Sequence, residues 1–580
     1  MQKPTSTSNV AYFAPRNKYA KIPTESISVL GIDTEADTDG RCFMICSSLG
    51  DVWKPEQLPE CLFDRKHRDQ TYVAYNLKYD MGALIQHLPI ENLAELRTTN
   101  RTTFGDYKYH VIANKLLSIS KGHKYIKVYD MLNFYQSSLE KAAQKYLGEG
   151  KLEQDTKEYT EELIRDNWDN IAEYCIKDAQ LVQRLAERLI GQFETWGLKV
   201  RKLYSTAHVS YSWFAAKCGH PTVEYFWRME RRVLDMAMES YNGGKFEITT
   251  KGTGYFYEYD ISSAYPYSIR NLVGLDNARV VWDNKYRKNA VYGFLNCNIN
   301  IPLELPSPVA VKRGALNTYP SGNFQKTITK QEYEYLVSNG ADCIIRYACW
   351  IHVDKKTFPY RAEIDRLYAL KTELKDTDNK LAYHTIKILM NSLYGKFVQI
   401  IQNGDYWRAG ASWNPIYASV ITADTRVRIS ELQRRYGSIW AVHTDSIISD
   451  KSLPYEKDLT LGALSYETEG QGLIAGCGIY QIGEKTALRG VGSPVALLEM
   501  ASHSGETLTI QRKAPKTWRQ VIFHGWDADR INRFENELKE LRPNSDRKRL
   551  WIHDAETWRD LYDRRIFSSP LEHNALFYRR

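Results

Sequence analysis

Apolar residues fall in short blocks through the first third of the chain. Ile27 to Ile32 reads as a strand, an Asp-Gly turn follows at 39–40, and Cys42 to Ser47 reads as a second strand. Two further strand-like runs, Tyr107 to Ser120 and Tyr125 to Tyr129, flank a Lys-Gly-His-Lys turn. The spacing then changes to the helical period at Ser138–Leu147 and Trp168–Leu189. Strands followed by helices predict an α/β unit ending near residue 200.

The middle of the chain has a Tyr-rich strand, Tyr255 to Tyr259, and a Pro-rich irregular stretch from about 300 to 322. Amphipathic patterns at 359–375 and 379–397, separated by Asp376-Thr-Asp-Asn379, predict an antiparallel helical hairpin. A longer helix is expected from Pro415 to Tyr436, then a β-hairpin of Ile439–Thr444 with Ile447–Ser449. The last 80 or so residues are mixed and highly charged, with no dominant period.

At 580 residues, two to four domains are expected, and the 43% hydrophobic and 26% charged fractions are those of an ordinary globular protein. No stretch approaches the roughly 18 apolar residues of a membrane span, and the polar N-terminus lacks a signal core, so a cytosolic place is expected, in a host cell if the chain is phage-borne. Nine cysteines without a CxxC pair argue against a zinc site or a disulfide framework. The formal charge of +8 suits a polyanionic partner without requiring one.

Carboxylates carry the candidate chemistry. Asp33 and Glu35 form a DxE at the end of an apolar strand, where a period of two turns both to one side; by itself such a pair is more often a solvated turn. Tyr75-Asn-Leu-Lys-Tyr-Asp80 sets an amide four residues before a carboxylate, and Tyr174-Cys-Ile-Lys-Asp178 sets a phenol four residues before another. Asp260-Ile-Ser-Ser-Ala-Tyr-Pro266 puts an aspartate at the end of the Tyr-rich strand, and His443-Thr-Asp-Ser446 puts Asp445 at a hairpin tip. Each aspartate alone reads equally as a turn residue; two on adjacent strands would make a two-metal site.

Lys387-Ile-Leu-Met-Asn-Ser-Leu-Tyr-Gly395 is more specific. Positions 387, 391 and 394 share a helix face that offers an ammonium, an amide and a ring to one partner. Five specified positions at ordinary usage occur by chance in roughly one chain per several thousand.

Together and in this order, these residues resemble the family B DNA polymerases, more closely the protein-primed branch of phages and linear plasmids. Asp33 and Glu35 resemble the first exonuclease motif, Asn76 and Asp80 the second, and Tyr174 and Asp178 the third. Tyr241-Asn-Gly-Gly244 resembles the YxGG motif, with Tyr241, Gly243 and Gly244 toward template. Asp260 to Pro266, Lys387 to Gly395 and His443 to Ser446 resemble polymerase motifs A, B and C.

The resemblance implies an α/β (α+β) multidomain fold, an RNase-H-like 3′–5′ exonuclease domain followed by a right-hand palm, fingers and thumb. The implied boundaries are an N-terminal extension at 1–26, exonuclease domain 27–200, a linker with YxGG 201–250 and palm 251–279. An insertion at 280–355, fingers 356–397, palm 398–495 and a thumb or C-terminal segment 496–580 follow. It implies a template-directed DNA polymerase with proofreading, acting on a phage or plasmid-like genome. Two Mg²⁺ ions per site are implied, with Mn²⁺ as a substitute, held by Asp260 and Asp445 and by Asp33, Glu35, Asp80 and Asp178. Lys387 and Lys371 would meet the triphosphate, Ser263, Tyr265, Asn391 and Tyr394 the nucleotide, and Tyr174 the attacking water. Asn76, Thr444, Tyr480 and Lys485 would touch DNA. Primer-template, dNTPs and a terminal priming protein are the implied partners of a monomer, without a membrane.

The pattern departs from the family at three places. His443 stands where the first motif C aspartate is usual, Gly478-Ile-Tyr480 lacks the lysine of the KxY motif, and the interval from Gly395 to His443 is short for the second protein-primed insertion. Lys485 or Arg489 is the substitute for the missing lysine. The alternatives are a polymerase-derived scaffold without catalysis, or an exonuclease with a decayed polymerase half.

Overall fold

A computed structural model describes residues 4–153, 159–403, 406–455, 460–491, 496–503 and 505–573. The first unit is an eight-stranded sheet in the order Val52–Trp53, Cys42–Ser47, Leu30–Ala36, Thr71–Ala74, Lys124–Asp130, Leu116–Lys121, Tyr107–Ile112 and Arg101–Phe104. Leu30–Ala36, Thr71–Ala74 and Lys124–Asp130 run parallel at its centre. The 28-residue helix Trp168–Thr195 covers one face. Helices Leu77–Ile85 and Ile90–Thr99 cover the other.

Two local expectations shift here. The first strand starts at Leu30, so Asp33 and Glu35 lie inside it rather than at its end. Tyr72–Val73 pairs with Leu30–Gly31, and Cys42–Ser47 pairs with Ile32 to Ala36 and keeps the polar residues extended. Tyr107 to Ser120 divides into two strands at a turn in which Asn114 takes φ +54°, a conformation asparagine tolerates.

The stretch 201–250, expected as a linker, folds into helices Thr206–Lys217, Glu224–Met229 and Arg231–Ser240. Their Trp213, Phe214, Phe226 and Leu234 share a core with Ile364 and Leu367 of helix Arg361–Leu374 and Ile386 and Leu389 of helix Lys380–Asn391. The N-terminal segment is built in as well. Tyr12 lies against both Trp227 and Trp413, and Val10–Ala11 pairs with Trp407–Arg408. That last strand belongs to a pair of four-residue strands, Ile400–Asn403 and Tyr406–Ala409, the β-structure described between Gly395 and the helix that starts at Pro415.

A nine-stranded sheet forms the second unit. Its central strand, Thr250–Ile261, pairs with Ser446–Ser449 on one side and with Leu464–Gly476 on the other. Residues 279–352 form a four-stranded antiparallel sheet with helix Lys330–Ser338 and an apolar core of their own. The C-terminal segment carries a hairpin, Leu508–Pro515 with Phe534–Leu541.

Helix Pro415–Arg435 threads these units together. Asn414 caps it by accepting from the Tyr417 N–H at 3.0 Å, and Pro415 needs no N–H partner in the first turn. Buried residues line all its sides, and one of them is Arg426, with no exposure. Its guanidinium donates to the carbonyls of Asn242 (2.7 Å), Gly243 (2.9 Å) and Pro308 (2.9 Å) and to the Glu332 carboxylate (2.6 Å).

Arg426→Met should therefore strand a buried carboxylate and three carbonyls. The expected loss is about 3–5 kcal/mol of stability, read as a lower urea midpoint, with partial recovery in the Arg426→Met/Glu332→Met double variant. Equal midpoints for wild type and Arg426→Met would contradict it.

Candidate active sites

The first carboxylate site lies where the long helix crosses the central strands. Asp33 and Glu35 project from strand Leu30–Ala36, Asp80 from the first turn of helix Leu77–Ile85, and Asp178 from helix Trp168–Thr195. Burial raises all four carboxylates, and the charge of Asp178 adds to the rise at the other three. Asp33 is held well above the usual carboxylate range by burial, then by Asp80, Asp178 and Glu35. Glu35 is pushed up to about 8 by burial and then Asp178. Burial pushes Asp80 up to about 7, although the Thr34 hydroxyl donates to it at 2.9 Å.

Lys151 is the residue that sequence reasoning missed. Its ammonium is ion-paired with Asp178 and lies 4.7 Å from the ring centroid of Tyr174. Even so, burial outweighs this cation and Asp178 remains raised. A lone lysine in a Gly-Glu-Gly-Lys loop carries no local signal. Asp130, at the end of its apolar strand, was missed too; it accepts from the backbone N–H groups of Asn76 (3.0 Å) and Leu132 (2.9 Å). Asn76 itself takes φ +67° and leaves its amide exposed.

Hard divalent cations suit this donor set. Asp178 Oδ1 is buried without a hydrogen-bond partner, and one lysine cannot offset four carboxylates. The ligand atoms of Asp33, Glu35 and Cys175 lie within 4.8 Å of one another, but burial holds the Cys175 thiol neutral.

The second site forms where two strand ends meet. Asp260 is opposite Ser446 in register, and the Ile261 N–H donates to the Asp445 carbonyl at 2.8 Å. Thr444 makes the tight turn with φ +70°, and a Cβ on Gly244 would come within 2.5 Å of the Thr444 methyl. Only glycine leaves room for that turn, which accounts for the second glycine of Tyr241-Asn-Gly-Gly244. Asp260 is pushed up to about 8, by burial first and then by Asp445, Glu467 and Glu258, with Lys387 opposing. Burial also raises Asp445.

The helical hairpin faces these carboxylates. Lys387 and Asn391 are exposed, and Lys371 donates to the Ser263 hydroxyl at 3.1 Å, where Ser263 takes φ +52°. The helix ends at Asn391, and Tyr394 begins a separate turn that carries it onto Tyr265: the rings stack at 4.3 Å and 23°. Tyr241 adjoins Tyr394, so the three phenols form one wall.

Beneath Asp260, the buried Glu258 accepts from Ser446 (3.1 Å), Tyr480 (3.2 Å) and Lys485 (2.7 Å). Strand alternation puts it on the face of Asp260, a signal that was legible in the sequence. Tyr480, expected to touch DNA, is buried and stacks on His443 at 5.0 Å and 11°. It supports the site from below; Lys485, 45% exposed along its side chain, stays accessible. His443 Nε2 accepts from the Gly478 N–H at 3.4 Å, and burial, then Lys485 and Lys548, pushes the imidazole down to about 4. The two departures from the family pattern, His443 and Gly478, thus meet each other as a neutral pair.

These shifts set a pH dependence. The carboxylates of Asp260, Glu35 and Asp80 lose protons near 4 when unfolded, yet hold them toward 7 or 8 when folded. Their contribution to stability is full below the unfolded values and is lost as pH rises to about 8. In a chelating buffer the melting temperature should fall between pH 5 and pH 8, and Mg²⁺ should restore it. Asp260→Asn should flatten the fall; a flat profile in the wild type would count against the carboxylate crowding.

A family model described as DNA polymerase type B, organellar and viral, matches residues 118–410, just over half of the chain. No curated protein sequence matches it. Among solved structures, phi29 DNA polymerase complexed with primer-template DNA and incoming nucleotide substrates is similar, with TM-score 0.60 at 16% identity. The match covers 89% of this chain and 100% of that one. An orthorhombic crystal form of phi29 DNA polymerase gives TM-score 0.56 at 15% identity over 81% of this chain and 90% of that one.

Proposed function

This chain belongs to the type B DNA polymerases of the organellar and viral kind, and on that premise we propose that it copies a DNA template and proofreads the product with a separate 3′–5′ exonuclease site. The observation that carries this reading is two half-buried carboxylate clusters, one on the Leu30–Ala36 strand and the helices beside it, the other where two strand ends meet, each too negative for the cations around it. The domains follow: exonuclease over 27–200, palm over 251–279 and 398–495, fingers over 356–397, and a thumb after 496. Primer-template and dNTPs are the substrates, in replication of a phage or plasmid-like genome, with a terminal priming protein as a further partner.

Asp260 and Asp445 would hold two Mg²⁺ ions at the polymerase site, and Asp33, Glu35, Asp80 and Asp178 a pair at the exonuclease site. Such cations, when bound, make a hydroxyl or water acidic at neutral pH and offset phosphate charge. Lys387, exposed on the fingers and opposing the charge at Asp260, would neutralise the leaving pyrophosphate, with Lys371 beside it. The stacked Tyr265 and Tyr394 would form the floor of the nucleotide pocket, where a 2′-hydroxyl meets the Tyr265 ring. Asn391 would line the same pocket. Tyr241, Gly243, Gly244, Thr444 and Lys485 would follow the primer-template. At the other site, Tyr174 and Lys151 would orient the water, and the exposed Asn76 amide would meet the frayed strand.

His443 favours one rival, an exonuclease with a decayed polymerase half, because a neutral imidazole replaces a carboxylate. Primer extension with Mg²⁺ and dNTPs decides between them. Asp260→Asn and Asp445→Asn should each cut extension by about 10²–10³-fold, the cost of removing a group that stabilises developing charge, with degradation unchanged. No extension by the wild type would leave the rival standing.

Release of a 3′-labelled mismatched nucleotide reads the other site. The Asp33→Ala/Glu35→Ala variant should lose it and still extend primers. Undiminished release would move the nuclease centre elsewhere.

A further inference from the structure

Residues 516–533, between the two strands of the C-terminal hairpin, sit in the core of the first unit, more than 400 positions earlier in sequence. Trp518, Val521 and Ile531 are buried with Met81, Leu84 and Ile85 of the helix that carries Asp80, and with Leu93 and Leu96 of the next. The other end of the hairpin, Leu508, Ile510 and Leu541, packs on Leu473 and Ala475, which belong to the sheet that carries Asp260. One element therefore bridges the helix that carries Asp80 and the sheet that carries Asp260.

The contact narrows to a single side chain. Asn532 is 1% exposed, takes φ +64°, and donates from Nδ2 to the carbonyl of Tyr79 at 2.9 Å. Tyr79 immediately precedes Asp80, and its ring meets Phe534 at 6.2 Å. Room for the amide comes from Gly82 on the same helix: a Cβ there would lie 2.5 Å from Asn532 Oδ1. Around it, Gln86 donates to the carbonyls of Gly40 (3.0 Å) and Ile531 (3.4 Å), and Arg519 donates to Asn100 at 2.9 Å. A buried amide, a glycine that makes space for it and a donor bond beside a carboxylate are more than hydrophobic docking requires.

We propose that Asn532 is a positioning residue for the first carboxylate site: by pinning the helix at Tyr79 it sets where Asp80 stands among Asp33, Glu35 and Asp178, so the C-terminal segment completes a metal site built from the other end of the chain. The inference rests on the reading of that cluster as a hydrolytic metal centre. It predicts that the centre weakens when the pin is lost, while the Asp260 and Asp445 site does not.

Asn532→Asp keeps the size and tolerates the positive φ, but its carboxylate cannot donate to the Tyr79 carbonyl. Gly82→Ala puts the better helix former in place and pushes the amide out from the other side. Mn²⁺ binding to the full chain, read from the electron paramagnetic resonance of the free ion, separates the two sites when the Asp33→Ala/Glu35→Ala variant is subtracted. Both Asn532→Asp and Gly82→Ala should weaken the first site about tenfold, the usual cost of losing an outer partner of a metal ligand. Mismatch release should then need correspondingly more Mn²⁺, with primer extension unchanged. Wild-type affinity at the first site in Asn532→Asp would overturn the proposal. Equal weakening at both sites would also overturn it, since that is general loss of fold. A wild type that binds Mn²⁺ there without releasing nucleotides would instead refute the hydrolytic reading and leave the pinning to stand or fall on the Mn²⁺ affinities.

Discussion

The Arg426 guanidinium is the point at which the units of this protein are joined. It sits without exposure in a helix buried on all sides, and it reaches the Asn242 and Gly243 carbonyls, the Pro308 carbonyl and Glu332. Those groups come from the loop that leads into the Asp260 sheet, from the 279–352 unit and from its helix. A buried charge of this kind costs several kcal/mol in desolvation and is tolerated only when its donors are met. Because the partners lie on separate segments, meeting them sets the mutual position of those segments. The Gly244–Thr444 contact, and with it the turn that presents Asp445, follows from that position.

On this frame the chain solves one electrostatic problem twice. Each site brings carboxylates into surroundings that disfavour their charge, and each answers with fewer internal cations than it has acids. At the first site Lys151 pairs directly with Asp178. At the second, Lys387 stays exposed on a different element and Lys485 is taken up by Glu258. The difference suits the proposed chemistries: a strand end to be trimmed would enter the first site alone, whereas the second would admit a triphosphate that brings its own negative charge.

His443 shows how a family position can change its chemistry without exposing an orphan. The imidazole stacks on Tyr480 with Phe246 tilted against it, and its acceptor nitrogen is met by the Gly478 N–H. The two meet as a neutral pair, and Glu258 is the anchor for Tyr480 and Lys485.

Much of the organisation was legible in the sequence because it is local. Strand alternation placed Asp33 with Glu35, helix spacing placed Tyr174 with Asp178 and Lys387 with Asn391, and turn chemistry put Asp445 at a hairpin tip. Strand limits were less legible: the Leu30–Ala36 strand continues through its acids because the neighbouring strand Cys42–Ser47 pairs with that segment, a partner that the local pattern does not announce. Lys151, Arg426 and Asn532 were invisible for the same reason. A lysine in a glycine-rich loop, an arginine in a helix and an asparagine in a charged tail each read as solvated, and their partners stand up to 453 positions away. Periodicity determines which face of an element turns inward. Which group waits there is decided only when the chain closes on itself, since burial removes water and leaves each buried charge or amide to the partners within reach.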